Sequence, residues 1–139
     1  MKYLHTMVRV TNIEESLDFY CNKISLKEIK RKESEKDKFT LIFLGAENSN
    51  DKHALLTYNW DHEEYSEGCN FGHLAYSVKN IYEFCDNLIK KGVTINRPPR
   101  DGHMAFVKSP DGISIEILQE DDPLQIQEPW QSMENIGTW

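Results

Sequence analysis

The sequence predicts an α+β fold made of two copies of one βαβββ module. Three observations predict it. The segment His5-Thr-Met-Val-Arg-Val-Thr-Asn-Ile-Glu-Glu-Ser aligns with His73-Leu-Ala-Tyr-Ser-Val-Lys-Asn-Ile-Tyr-Glu-Phe at a constant offset of 68 (73 − 5), so that Val10 meets Val78, Asn12 meets Asn80, Ile13 meets Ile81 and Asp18 meets Asp86. A helix-spaced apolar stretch follows each histidine segment. Three strand-like runs follow each of those stretches. Self-similarity at a fixed offset is the mark of a repeated unit, and here the unit is one supersecondary module used twice.

Each element has its own warrant. Residues 3–10 read as a strand, because Val8 and Val10 alternate with polar positions. Asn12, with Glu15 three residues on, caps a helix whose apolar face is Ile13, Leu17, Tyr20 and Ile24. The second copy uses Asn80 with Glu83, then Ile81, Cys85, Leu88 and Ile89. Gly92 closes that helix in the left-handed conformation that glycine favours. The matching position in the first half is Ser25, at a cost of up to about 1 kcal/mol relative to glycine. Strand runs follow at about 27–33, 38–45 and 53–59, and again at about 93–97, 103–108 and 113–119, with Asp111-Gly112 as the last hairpin turn. Residues 47–52 form a polar loop, and residues 61–70 an acidic linker. The modules therefore span about 1–60 and 71–119, within one domain over 1–119. Residues 120–139, with Pro123, Pro129, Trp130 and Trp139, read as an extended tail that packs on the body through its tryptophans.

The totals narrow the function classes. A chain of 139 residues holds one domain, or two half-domains around a shared core. A formal net charge of −7 argues against a nucleic-acid surface and fits a soluble cytoplasmic chain. No apolar run approaches the roughly 20 residues of a membrane span, and the N-terminal segment lacks a signal-peptide core. Cys21, Cys69 and Cys85 form no CxxC pair, which fits reduced thiols, with Cys85 buried on its helix.

The residues able to carry chemistry are two imidazoles and a carboxylate. In the strand Ile113-Ser-Ile-Glu-Ile-Leu-Gln119, alternation puts Ser114, Glu116 and Leu118 on the face opposite Ile113, Ile115 and Ile117. A carboxylate in so apolar a strand needs a partner or a metal. His5, His73 and Glu116 together suit a divalent first-row metal with open positions for substrate. Spacing alone leaves open the plainer alternative of two satisfied histidines and a solvent-facing glutamate. The repeat places Leu55 as the counterpart of Glu116, and leucine binds no metal. His53 lies one pleat repeat away, roughly 6–7 Å along the strand, and would serve only if the strand slid.

The ordered set of short motifs resembles the vicinal oxygen chelate superfamily (the glyoxalase, bleomycin resistance and extradiol dioxygenase fold), and within it the bacterial glyoxalase I group. The carriers are Leu4-His-Thr-Met-Val-Arg-Val10, Ser16-Leu-Asp-Phe-Tyr20, Thr57-Tyr-Asn-Trp60, Asn70-Phe-Gly-His-Leu-Ala75, Ile95-Asn-Arg-Pro-Pro-Arg-Asp-Gly-His-Met-Ala-Phe-Val107 and Ser109-Pro-Asp-Gly112. The resemblance implies a lactoylglutathione lyase acting on the hemithioacetal of methylglyoxal and glutathione. It implies a homodimer with sites built from both chains, His5, His73 and Glu116 as ligands, and Glu116 as the base. It also implies Arg9 and Asn59 as glutathione contacts, and nickel or cobalt before zinc or iron as the metal. Arg97 and Arg100 are further candidates for meeting an anionic substrate. His103 is weighed as a residue at the site mouth or as a structural one, and His62 as solvated.

Two departures from that pattern touch function. The pattern has a glutamate where this chain has Leu55, and an arginine where it has Cys69. Two histidines and one carboxylate are also the facial set of non-haem iron oxygenases. The alternatives are therefore a binding protein of the same fold without turnover, and then an Fe(II) extradiol-type dioxygenase.

Overall fold

Burial alternates along strands such as Ser114–Gln119, where Ile115 and Ile117 are buried and Ser114 and Glu116 partly exposed, and this gives the sheet two faces. In the computed structural model, which describes residues 4–46, 54–61, 64–66, 68 and 70–139, the first strand β1 runs Thr6–Arg9, with Val8 buried and Met7 and Arg9 outward. It is followed by α1 (Ile13–Leu17), β2 (Lys27–Ser34), β3 (Phe39–Gly45), β4 (Ala54–Asn59), β5 (His73–Val78), α2 (Ile81–Lys90), β6 (Met104–Lys108) and β7 (Ser114–Gln119). The chain divides into two compact units, Met1–Ser66 and Glu67–Trp139. The loop expected at 47–52, and His53, His62 and Cys69, lie outside the described residues.

The first unit holds a four-stranded sheet in the order β1-β4-β3-β2, with β1 parallel to β4 and the other pairs antiparallel. Its core side carries Val8, Val10, Ile42, Leu44 and Leu56, together with Phe19 and Tyr20, all buried. Burial of each such side chain is worth roughly 1.5–3 kcal/mol. The edge strand β2 is exposed along almost its whole length and rich in lysine and glutamate, the usual protection of an open edge against pairing with another chain.

The helix of this unit departs from expectation. Asn12 caps it as its side chain predicts, accepting from the Glu15 N–H at 3.1 Å. The α-helix then ends at Leu17 and continues as π-helix over Asp18–Lys23. Closing bonds from Ile24 N–H to Phe19 O and from Leu26 N–H to Tyr20 O mark the wider turn. A π-turn holds more residues than an α-turn, so it shifts the inward face. Of the expected Ile13-Leu17-Tyr20-Ile24 face, Tyr20 and Ile24 are buried, Ser16 and Phe19 join them, and Ile13 and Leu17 remain half-exposed. Ser25 then takes φ 72°, as Gly92 takes φ 77° at the same place in the second unit.

The second unit holds a three-stranded sheet in the order β5-β7-β6, with β5 parallel and β6 antiparallel to β7. The strand expected over 93–97 is absent as a strand. It survives as a single bridge, Arg97 to Phe106, in which the N–H groups of Asn96 and Arg97 both donate to Phe106 O. Pro98 and Pro99 follow at once, and a proline pair offers no donors to extend a ladder. Val93 and Ile95 keep their buried role without the strand. Helix α2 is capped by Asn80, which accepts from the Glu83 N–H, and it buries Ile81, Tyr82, Cys85 and Leu88 while Ile89 stays exposed. Burial, with Asp86 beside it, pushes the Cys85 thiol up to about 12. The tail contributes Trp130, only 2 % exposed and stacked on Tyr82 at 6.1 Å. Among the described residues no helix is long and apolar enough to cross a membrane.

Candidate active site

The face of each sheet turned away from its helix carries the residues with chemistry. In the second unit, register pairs His73 with Ser114 and Ala75 with Glu116, and β6 sets Phe106 opposite Glu116. Alternation therefore puts His73, Ser114, Glu116, Phe106 and Lys108 on one face. His73 Nε2 and Glu116 Oε2 lie 3.1 Å apart, with the glutamate side chain 14 % exposed and the imidazole 43 % exposed. The His73 ring meets Phe106 edge-on, centroids 5.4 Å apart at 85°.

The first unit repeats this arrangement with one change. His5 meets Phe43 edge-on, at 5.7 Å and 83°. Register pairs Met7 with Leu55 in the parallel ladder, and Phe43 with Leu55 across the antiparallel one. His5 thus corresponds to His73, Phe43 to Phe106 and Leu55 to Glu116. Leu55 is 7 % exposed, so it is an apolar plug where the other sheet has a carboxylate. Arg9, Thr57 and Asn59 share this face by alternation, with Arg9 paired to Thr57 and the Asn59 Nδ2 donating to the Tyr65 hydroxyl at 3.1 Å.

The other candidate cations are engaged within their own unit. The Arg97 guanidinium donates to Asp101 at 2.8 Å and to the Met104 carbonyl. Burial works to raise the Asp101 carboxyl, but the hydrogen bond from Arg97 and those from the Met104 and His103 N–H groups outweigh it and bring it down to about 2. Arg100 donates to the Met133 carbonyl at 2.9 Å and so ties the tail to the body. These contacts give both arginines a structural role that their spacing in the sequence did not suggest. His103 sits just before β6, with its N–H bound to Asp101. A hollow of about 480 Å³ along α2 and the tail is lined by groups such as Asn80, Glu83 and Lys90, with no imidazole or thiol in its lining.

The donors fit a metal as far as each unit can show. Two ligands at roughly 2.1 Å and near a right angle stand about 3 Å apart, which is the spacing of His73 and Glu116. Among the described residues, however, no group of three or more His, Cys, Asp or Glu side chains is assembled to hold an ion.

A paired-module fold with an imidazole–carboxylate pair on one open sheet face defines a class, and the comparisons agree on it. The family described as Glyoxalase/Bleomycin resistance protein/Dioxygenase superfamily matches residues 2–117, and the chain belongs to it. Its relatives narrow the class to glyoxalase I. A lactoylglutathione lyase of Neisseria meningitidis serogroup A is 42 % identical over 126 residues, covering 86 % of this chain and 91 % of that one. The lactoylglutathione lyase of Escherichia coli O157:H7 is 36 % identical over 128 residues, covering 88 % and 95 %. The solved structure of Leishmania major glyoxalase I, described as trypanothione-dependent, superposes with a TM-score of 0.78 at 34 % identity, covering 86 % of each chain.

Proposed function

We propose that this chain is a metal-dependent lactoylglutathione lyase, isomerising the hemithioacetal of methylglyoxal and glutathione to S-lactoylglutathione. The observation that carries the reading is the His73–Glu116 pair, two donors 3.1 Å apart on an open sheet face. Relatives named for this activity along nearly the whole chain support it.

His73 and Glu116 hold the metal together with His5 from the other module. The reading includes a homodimer in which the partner copy completes each site. The metal, nickel or cobalt before zinc or iron, supplies electrophilic stabilisation of the charge that develops on the substrate oxygens. Glu116 removes the proton from the carbon that bears the sulfur and hydroxyl and returns it to the neighbouring carbonyl carbon, while the hydroxyl proton passes to the former carbonyl oxygen, so atoms and electrons balance without an outside oxidant. Arg9 and Asn59, on the open face of the first sheet, bind the glutathione moiety. The unbridged thiols Cys21 and Cys85 fit a reducing cytoplasm.

Leu55 favours a second reading, a protein of the same fold that binds the adduct without turning it over. The test is S-lactoylglutathione formation by protein reconstituted with nickel, cobalt, zinc or iron(II). Product at any loading, abolished by chelation, is expected. Tight binding of the adduct with no product at any loading establishes the second reading instead.

A further inference from the structure

One wall of the hollow beside His73 comes from the end of the tail. This hollow measures about 400 Å³, and its lining includes Phe71, His73, Phe106, Ser114, Thr138 and Trp139. The path that brings Trp139 there is closely specified. Asn96 donates its N–H to Phe106 O at 2.8 Å, which fixes Asn96 beside β6. It then grips Ile136 twice: the Ile136 N–H donates to Asn96 O at 2.9 Å, and Asn96 Nδ2 donates to Ile136 O at 2.9 Å. Gly137 follows at φ 68°, a left-handed turn that a residue with a Cβ resists. The turn delivers Trp139 onto Phe106, centroids 6.0 Å apart, and Phe106 in turn meets His73.

The result is a row of rings, Trp139, Phe106 and His73, along one side of a hollow that opens on the proposed reacting centre. Phe106 is 6 % exposed, but Trp139 remains 40 % and Phe71 44 % exposed. Large apolar faces left in water around a concave site beside polar chemistry are what a ligand's apolar part covers.

We propose that Trp139 is a specificity-determining residue: with Phe71 and Phe106 it forms an aromatic slot for a flat, apolar side group on the carbonyl half of the substrate. The inference deepens the lyase reading and rests on it for the identity of the substrate. A phenyl side group gains ring contact with Trp139, and a methyl group is too short to do so. Aromatic contacts of this kind change affinity by about 3- to 10-fold.

The test compares wild type, Trp139→Ala, Trp139→Phe and Gly137→Val. Two ratios are measured: kcat/KM for the glutathione adducts of phenylglyoxal and methylglyoxal, and calorimetric affinity for S-benzylglutathione and S-methylglutathione. Trp139→Ala is expected to lower both aryl-to-methyl ratios by about 3- to 10-fold, Gly137→Val to do so by displacing the ring, and Trp139→Phe to restore most of the loss. Unchanged ratios in Trp139→Ala, or a wild type with no aryl preference in binding, overturn the slot. A wild type that turns over neither adduct yet binds S-benzylglutathione preferentially through Trp139 sinks the lyase reading and leaves the slot standing.

Discussion

Leu55 occupies in the first sheet the register position that Glu116 occupies in the second. Each faces the residue two places after its module's histidine, Met7 or Ala75, on one side, and a histidine-contacting phenylalanine, Phe43 or Phe106, on the other. One module thus offers an imidazole and a carboxylate, and its copy an imidazole and an alkyl chain. The two halves have kept a common backbone plan and diverged in the donors mounted on it.

Leu55→Glu should restore a donor at that position. Metal affinity is expected to rise on the order of 10-fold or more, read by competition with a chromogenic chelator. In the metal-free protein the same change buries a carboxylate at a site now 7 % exposed, so its unfolding midpoint should fall. Unchanged metal affinity would show that Leu55 does not border the ion.

Glu116→Gln keeps the size and shape of the side chain but removes its charge and basicity. Lyase turnover should drop by about 100-fold or more, with the circular dichroism spectrum preserved. Activity within a few-fold of wild type would remove Glu116 from the role of base.

Ser25→Gly should stabilise the protein. The serine sits at φ 72°, where glycine carries no Cβ strain, and Gly92 already fills the equivalent place in the other module. The gain is bounded at about 1 kcal/mol and reduced by the greater freedom of glycine in the unfolded chain. Urea unfolding is the measurement; a loss of stability would mean that Ser25 makes contacts that outweigh its backbone strain.

Acid should weaken the anchor of β6 through Asp101. Its folded carboxyl lies at about 2, below its ordinary 3.8, so its stabilising contribution is complete above 3.8 and disappears as pH falls from there towards about 2. The stability difference between wild type and Asp101→Asn should shrink across that window and be constant above it. A difference that stays the same down to pH 2 would mean the carboxylate adds nothing in its charged form.

Much of the local structure was legible because short-range chemistry decided it. Asn12 and Asn80 cap their helices because their side-chain oxygens accept from N–H groups three residues on. The turn at Gly112 and the burial of Cys85 also follow from their neighbours in the chain. Three features were not legible. The π-turn over Asp18–Lys23 took over the second part of one expected α-helix, and with it Phe19 is buried beside Tyr20. The 93–97 strand shrank to a bridge ahead of Pro98. The bonds by which Arg97 holds Asp101 and Arg100 holds the tail join positions that no spacing pattern singles out as partners.

The chain's order of residues, taken alone, determined the two-module plan, the paired histidines and the unequal pair Leu55 and Glu116, since a repeat carries its own alignment. Tertiary structure decided that His73 and Glu116 stand 3.1 Å apart and that Trp139 lies on Phe106. Both contacts join residues more than 30 positions apart, and their geometry depends on strand register and on backbone bonds such as those of Asn96, which no local pattern encodes.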